Sequence, residues 1–310
     1  MIPKGVQNWE RIGCILQAKD MDVPWLRTHT GASVAWPSPD GDVFDVYITG
    51  RDEQNRSMIG RASLLMSDRP RIVDIQAKPV LGLGQHGTYD ENGVSYPCLF
   101  EYAGRLHMLF TGWVPGVLTP FQNDLGLAVQ EDDGRFERVS KAPILSRDDD
   151  DYLGIGSSFA LCQDGLWHLW YTSFRSWGST PDEPKHQYWI KHATGKDPLS
   201  WERRHVTSVG LGGSEEYVVC RPSVVVEDGV WHMWFCARGD YYQLGYASSV
   251  DGQNFDRCDD YIQMARPANG FDSNEQSYPH VFRHKDALYM LYCGNGYGRD
   301  GLGLARLPLK

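Results

Sequence analysis

Carboxylates gather at three places in this 310-residue chain: Asp90-Glu91, Glu215-Glu216, and Asp272 with Glu275. Arginines 51, 175, 221 and 238, tryptophans 113 and 177, His29 and Asn295 stand at comparable points of other segments. Such a set suits carbohydrate chemistry. Indole faces stack on the apolar side of a sugar ring, while Arg, Asn and carboxylate groups hydrogen-bond its hydroxyls. Making or breaking a glycosidic bond asks for one protonated carboxylic acid beside the departing oxygen and a second carboxylate as base or nucleophile. Burial and like-charge crowding push two such pKa values apart, which assigns the roles. The residues are far apart along the chain, so only a fold that converges them makes this chemistry available.

A repeat supplies the convergence. An apolar-aromatic segment recurs as Phe44–Thr49, Leu106–Thr111, Trp167–Thr172, Trp231–Cys236 and Leu288–Cys293. Its aligned aromatics at 47, 110, 171, 235 and 292 are spaced by about 60 residues, the sign of an array of equal structural units. Ahead of the aromatic segment comes an apolar strand such as Tyr96–Phe100 or Tyr278–Phe282. The two are joined by Ala103-Gly104, Asp164-Gly165, Asp228-Gly229 or Lys285-Asp286, which are tight-turn chemistry. A third strand follows (Ile59–Ala62, Leu125–Ala128, Ile190–Ala193, Leu244–Ala247, Leu302–Ala305). A fourth closes the unit at Arg71–Val73, Phe136-Glu-Arg138, Trp201-Glu-Arg203 or Phe255-Asp-Arg257. The last unit lacks a fourth segment before Lys310, and Trp9-Glu-Arg11 carries it near the other end.

The pattern predicts an all-β chain: a single five-bladed β-propeller of four-stranded antiparallel blades, closed by the N-terminal strand completing the last blade. Blades are expected near 25–80, 90–145, 152–208, 215–265, and 272–310 with 5–16. The residues leading into the first strands should then face one cavity. These are Thr28–Gly31, Asp90–Tyr96, Gly154–Ser157, Glu215–Arg221 and Asp272–Tyr278. Loops leaving the second strands should add Arg51, Trp113, Arg175, Trp177, Arg238 and Asn295.

Composition narrows the partners. Thirty basic against forty acidic residues leave a net charge of -10 with no cluster of Lys and Arg, which argues against nucleic acid, because neutralising phosphates needs grouped cations. No window of membrane-spanning length is apolar, and the start, Met1–Glu10, has no apolar run of leader length, so a soluble, cytoplasmic protein is expected. The seven cysteines are scattered and form no CxxC pair, which reads as reduced, mostly buried thiols. No cofactor or metal is called for. The run Asp148–Asp151 reads as a solvated acidic turn, and His107, His168 and His232, repeating at equivalent positions, read as packing residues. Trp36 joins Trp113 and Trp177 as a tryptophan outside the repeat and a possible sugar platform.

Five motifs, Gly87–Val94, Ala142-Pro-Ile-Leu145, Glu216-Tyr217 through Arg221-Pro222, Gly270-Phe-Asp-Ser273 and Gly294–Gly298, resemble signatures of uncharacterised glycoside hydrolase-like propellers. These are similar in fold to family 43 and family 32 furanosidases and often associated with surface-polysaccharide gene clusters. The resemblance covers nearly the whole chain. It implies Glu216 as general acid, Asp90 as base or nucleophile, and Glu91 as an orienting group. It also implies Arg221, Arg238 and Arg51 as ligands of an anionic or hydroxyl-rich substrate. Departures from the furanosidase pattern are equally specific. Thr28–Gly31 has no first-blade Asp, Gly154–Ser157 has no third-blade acid, and Ser277 stands where a Glu is expected, with Glu275 two residues away. His29 would replace the missing first-blade group as base. A furanosidase-like enzyme on a small-molecule or oligosaccharide substrate is the leading expectation. A glycosyltransferase or other biosynthetic enzyme reusing the channel, and a non-catalytic carbohydrate-binding propeller, are the alternatives.

Overall fold

Alternating and continuous apolar runs, cut at regular intervals by turn residues, become strands throughout the computed structural model, which describes residues 1–178 and 185–309. After β1 (Gln7–Leu16) the chain forms β2 (Thr30–Pro37), β3 (Val43–Arg51), β4 (Ser57–Leu65) and β5 (Arg71–Ile75). The next group is β6 (Gly93–Tyr102), β7 (Arg105–Pro115), β8 (Phe121–Gln130) and β9 (Phe136–Arg138). Then come β10 (Ile155–Gln163), β11 (Leu166–Ser176), β12 (Gln187–Asp197) and β13 (Ser200–Val209), followed by β14 (Val218–Glu227), β15 (Val230–Arg238), β16 (Tyr242–Ser249) and β17 (Asp256–Arg257). The short β18 (Ile262–Met264) precedes β19 (Ser277–His284), β20 (Ala287–Cys293) and β21 (Leu302–Pro308).

Within each group neighbouring strands pair antiparallel in chain order, for example Leu109 with Cys98 and Leu127. Between first and second strands, Ala103, Asp164, Asp228 and Lys285 hold φ near +50°, as do the glycines beside three of them near +75°, so the primed turns read from sequence are formed. The last group is finished by β1, which lies antiparallel on β21 with Glu10 opposite Arg306 and Leu16 opposite Leu302. This covers an edge that would otherwise present unpaired backbone groups.

The architecture is propeller-like. First strands touch in a closed cycle, β2 on β6, β6 on β10, β10 on β14, β14 on β19 and β19 on β2. Side chains stitch the cycle: Tyr96 N donates to Thr49 Oγ1 (3.1 Å), Arg221 N to Ser157 Oγ (3.0 Å) and Val281 N to Ser223 Oγ (2.9 Å). Thr30 Oγ1 donates to Gly298 O (3.0 Å), joining the end of the chain to its beginning. Second strands such as β11 and β15 are buried along nearly their whole length because another group covers each face. Apolar cores fill the spaces between groups: Trp170 packs with Trp231 and Phe235, and Trp25 and Leu26 pack with Leu291, Leu302 and Leu304. His107, His168 and His232 are buried in this packing, with His168 Nδ1 3.0 Å from His192 Nε2 and His232 Nδ1 2.7 Å from the Tyr246 hydroxyl.

Every first strand breaks register near its start, at Thr30/Ser33, Ser95/Cys98, Ile155/Ser158, Cys220/Ser223 and Ser277/His280. In three of these bulges the residue before a proline has positive φ: Tyr96 (53°), Arg221 (56°) and Tyr278 (52°). A bulky residue in that region costs about 1–3 kcal/mol, a strain that persists where the surrounding structure requires it. Here the bulges re-aim hub side chains.

Candidate functional site

Tyr96 and Tyr278, turned by these bulges, form part of the wall of a cavity of about 530 Å³ at the edge where the first strands begin. Each group of strands contributes from the same end. The start of β2 gives His29, Gly31 and Ala32, the ends of β3, β7 and β15 give Arg51, Trp113 and Arg238, and the starts of β4, β8, β12 and β16 give Ser57, Phe121, Tyr188 and Tyr242. Tyr297 and Arg299 come from the turn between β20 and β21. Four sequence-predicted residues therefore meet here: His29, Arg51, Trp113 and Arg238.

Aromatic and cationic groups dominate the wall. Tyr242 lies edge-on or tilted against Tyr278 (5.4 Å between centroids) and Tyr297 (5.7 Å), and its hydroxyl is 3.3 Å from that of Tyr188. Burial raises the pKa of Tyr188, Tyr242 and Tyr278 well above the ordinary phenol value, so their hydroxyls stay protonated. The Arg238 guanidinium sits among three tyrosine rings, 5.0 Å from the centroid of Tyr242, 5.4 Å from Tyr297 and 5.6 Å from Tyr217. Its Nη1 donates to the Tyr297 hydroxyl at 2.6 Å. Burial opposes its charge, but the tyrosine oxygens prevail and hold its pKa above the usual arginine value. Burial, then Arg51 and Arg299, lowers His29 to about 4, leaving a neutral imidazole whose Nδ1 is 2.8 Å from Thr28 Oγ1. Trp113 is fixed by donating Nε1–H to Ser57 Oγ at 2.7 Å. No Asp or Glu is among the described residues lining the cavity.

The expected carboxylates have other partners. Asp90 is buried, its Oδ2 accepting from Arg138 Nε at 2.5 Å and its Oδ1 from Thr88 Oγ1 at 2.8 Å. Glu216 accepts both terminal nitrogens of Arg257 at 2.6 Å. Asp272 accepts Arg11 at 2.7 and 2.8 Å, and the Tyr292 hydroxyl at 2.8 Å. Asp151, the last of the aspartate run, accepts Lys191 (2.6 Å), Arg203 (3.1 Å) and the Tyr171 hydroxyl (2.8 Å). One device thus recurs four times: an acid ahead of a first strand is clasped by the arginine of the fourth strand, at 138, 203, 257 and 11. Burial pushes the Asp151 and Asp272 carboxyls up, but hydrogen bonds from Lys191 and Ser173 and from Arg11 and Tyr292 outweigh it and hold them below the usual range. The aspartate run is accordingly not a free acidic turn. Arg203 reaches both Asp148 and Asp151, and His205 approaches Asp150.

The other predicted residues also stand outside the lining. Glu91 is held by Gly87 N at 2.7 Å and by His86 Nδ1 at 2.8 Å. Glu275 accepts Gly296 N at 2.7 Å, and Asn295 accepts Asn274 N and Glu275 N, so both shape the turn that carries Tyr297. Arg221 is buried at the hub, donating Nη2 to Ser33 O (3.0 Å) and Pro97 O (3.1 Å). Arg175 stacks over Trp189 at 4.5 Å. Trp177 packs behind the wall on Phe174 and Phe121, and Trp36 faces a second, mainly apolar cavity of about 460 Å³ at the opposite strand ends. The expectation that Asp90, Glu91 and Glu216 converge on one cavity is corrected by these pairings: Asp90 and Glu216 are taken up by the fourth-strand arginines Arg138 and Arg257, and Glu91 by Gly87 N and His86. Tyr96 and Tyr278 end two of the segments expected to face the cavity, though neither was singled out, whereas sequence reasoning missed Tyr188, Tyr242, Tyr297 and Arg299 as lining residues. Tyr96, Tyr278 and Tyr297 lay inside quoted motifs, but only the bulges and the turn geometry tell which way they face.

No protein-family model matches the chain. Two proteins of Mycobacterium tuberculosis, "Uncharacterized protein MT1551" of strain CDC 1551 and "Uncharacterized protein Rv1502" of strain H37Rv, are each 36% identical to it over 304 residues, covering 96% of this chain and 99% of theirs. The chain belongs to their family. Among solved structures, a glycosyl hydrolase from Bacteroides ovatus matches with a TM-score of 0.71 at 14% identity, covering 100% of this chain and 97% of that one. A structure from work on glycoside hydrolases of the GH130 family of mannoside phosphorylases matches at 0.71 and 15%, covering 99% and 95%. A thermostable family-43 glycoside hydrolase matches at 0.69 and 16%, covering 93% and 92%. At such identities the likeness establishes a shared all-β, propeller-like fold.

Proposed function

We propose that the chain is a carbohydrate-active enzyme that hydrolyses or transfers a glycosidic bond in the tyrosine-walled cavity, at the hub of a closed ring of five blades. The blades would follow the 25–80, 90–145, 152–208, 215–265 and 272–310 divisions, with β1 completing the last. The carrying observation is the convergence of His29, Arg51, Trp113 and Arg238 with five tyrosines on one cavity of a size that takes small ligands. Glycoside hydrolases among the structural neighbours support the reaction class. The seven unpaired cysteines fit a cytoplasmic setting.

In this reading Trp113 offers a face to the sugar and the tyrosine hydroxyls its hydrogen bonds. Proton transfer falls to His29. When Nδ1–H donates to Thr28 Oγ1, Nε2 presents its lone pair to a water or an acceptor hydroxyl. Asp90 and Glu216 hold their sheets through Arg138 and Arg257. The test is turnover of aryl furanosides, aryl pyranosides and activated sugars by the wild type, by His29→Gln and by Glu216→Gln. Turnover lost in His29→Gln and kept in folded Glu216→Gln is expected. Failure of every glycoside and activated sugar to react, or full activity in His29→Gln, overturns the reading.

A further inference from the structure

The cavity carries cations that no acid among the described residues neutralises. Arg51 donates Nη1 only to Asn55 Oδ1 (2.8 Å), Arg238 is paired only with tyrosines, and Arg299 projects exposed at the mouth. None of the three makes a salt bridge among the described residues, whereas Arg11, Arg138, Arg203 and Arg257 each clasp an acid. The Nε of Arg238 has no hydrogen-bond partner although it is buried. Unneutralised guanidinium groups converging on one space are complementary to a multiply charged anion.

Among the described residues, no acid lines the cavity to protonate a departing sugar oxygen. A leaving group that needs no proton removes that requirement, and a phosphate ester at the anomeric carbon is such a group. We infer that the substrate is a glycosyl phosphate, a sugar whose anomeric oxygen bears a phosphoryl group bound by Arg238 with Arg51 and Arg299. This rests on the proposed reaction at the same cavity. His29 takes a proton from water or an acceptor hydroxyl, whose oxygen bonds to the anomeric carbon. The carbon–oxygen bond to phosphate breaks, and its electron pair leaves with the phosphate onto the arginines. In the hydrolytic case sugar phosphate and water yield free sugar and phosphate, with no oxidant or reductant involved. The phosphoryl group can belong to a hexose 1-phosphate or to a nucleoside diphosphate sugar.

Isothermal titration calorimetry on the full chain separates these cases. Probes are the 1-phosphates and 6-phosphates of glucose, mannose and galactose, the free hexoses, inorganic phosphate, UDP-glucose and GDP-mannose. Anomeric phosphates or diphosphates should bind more tightly than the free hexoses and the 6-phosphates, with affinity falling as salt rises. Arg238→Gln should weaken that binding at least about tenfold. Arg299→Gln, an exposed change that leaves folding intact, should weaken it by a few fold. A preference for hexose 1-phosphates assigns the monoester, and one for UDP-glucose or GDP-mannose assigns the diphosphate. Equal binding of neutral hexoses or of 6-phosphates, binding of inorganic phosphate alone, or unchanged affinity in both variants overturns the inference. Arginine-dependent binding without sugar or phosphate release would leave this anion site standing and remove the reaction. Turnover of neutral glycosides with no phosphosugar binding would do the reverse.

Discussion

Replacing Asp90 by Asn tests whether this carboxylate holds the fold or does chemistry. The side chain is 1% exposed, and its Oδ2 is 2.5 Å from Arg138 Nε. Removing one partner of a buried ion pair costs about 3–5 kcal/mol, because the other charge is left uncompensated. Arg138 keeps 23% of its side chain exposed, and water can recover part of that loss, which brings the expected destabilisation to about 2–3 kcal/mol. For a chain of this size that corresponds to a fall in Tm of roughly 3–5 °C. Thermal unfolding of Asp90→Asn, Arg138→Met and the double variant supplies the assay, with the double mutant expected to lose clearly less than the sum of the singles. Ligand binding at the cavity, measured well below the new Tm, should be nearly unchanged. A variant that keeps its Tm within a degree but loses turnover would refute the clasp and return Asp90 to the chemistry.

Asp272→Asn should destabilise the chain at neutral pH, because it opens the bond from β1 to the last sheet. The native carboxyl is held below its ordinary range, so its contribution is full above the unfolded value near ~3.9 and fades as pH falls through the lower folded value. The Tm gap between wild type and Asp272→Asn should therefore narrow below about pH 4; a gap constant down to pH 2 would contradict this. With His29 lowered to about 4, turnover limited by its neutral form should stay flat from neutral pH down to about 5 and fall below that, which a pH profile of kcat/KM checks. Trp113→Ala should weaken sugar binding several-fold while leaving Tm within a few degrees, since the ring sits at the cavity rather than in an inter-sheet core. Deleting residues 1–16 should bare the edge of β21 and produce aggregation, measured by light scattering, because β1 is that strand's antiparallel partner.

Local chemistry carries the strand order of this protein. Turn pairs such as Asp228-Gly229, the aromatic alternation of Trp231–Cys236 and the displaced Trp9-Glu-Arg11 are short-range signals, and the strands formed where those signals lie. The same signals put the ends of the second strands at one edge, which is why Arg51, Trp113 and Arg238 could be named in advance. Which acid met which arginine was beyond them. Asp90 and Arg138 are 48 residues apart and Asp272 and Arg11 are 261 apart, so a charge in sequence looks alike whether its partner is a substrate or a strand of its own sheet. The orientation of Tyr96, Arg221 and Tyr278 likewise depended on bulges set by pairing with β7, β15 and β20. Segment type is a matter of residues within a few positions of one another. Charge neutralisation and side-chain direction are set by distant neighbours, and they decided that this cavity is walled by tyrosine and arginine.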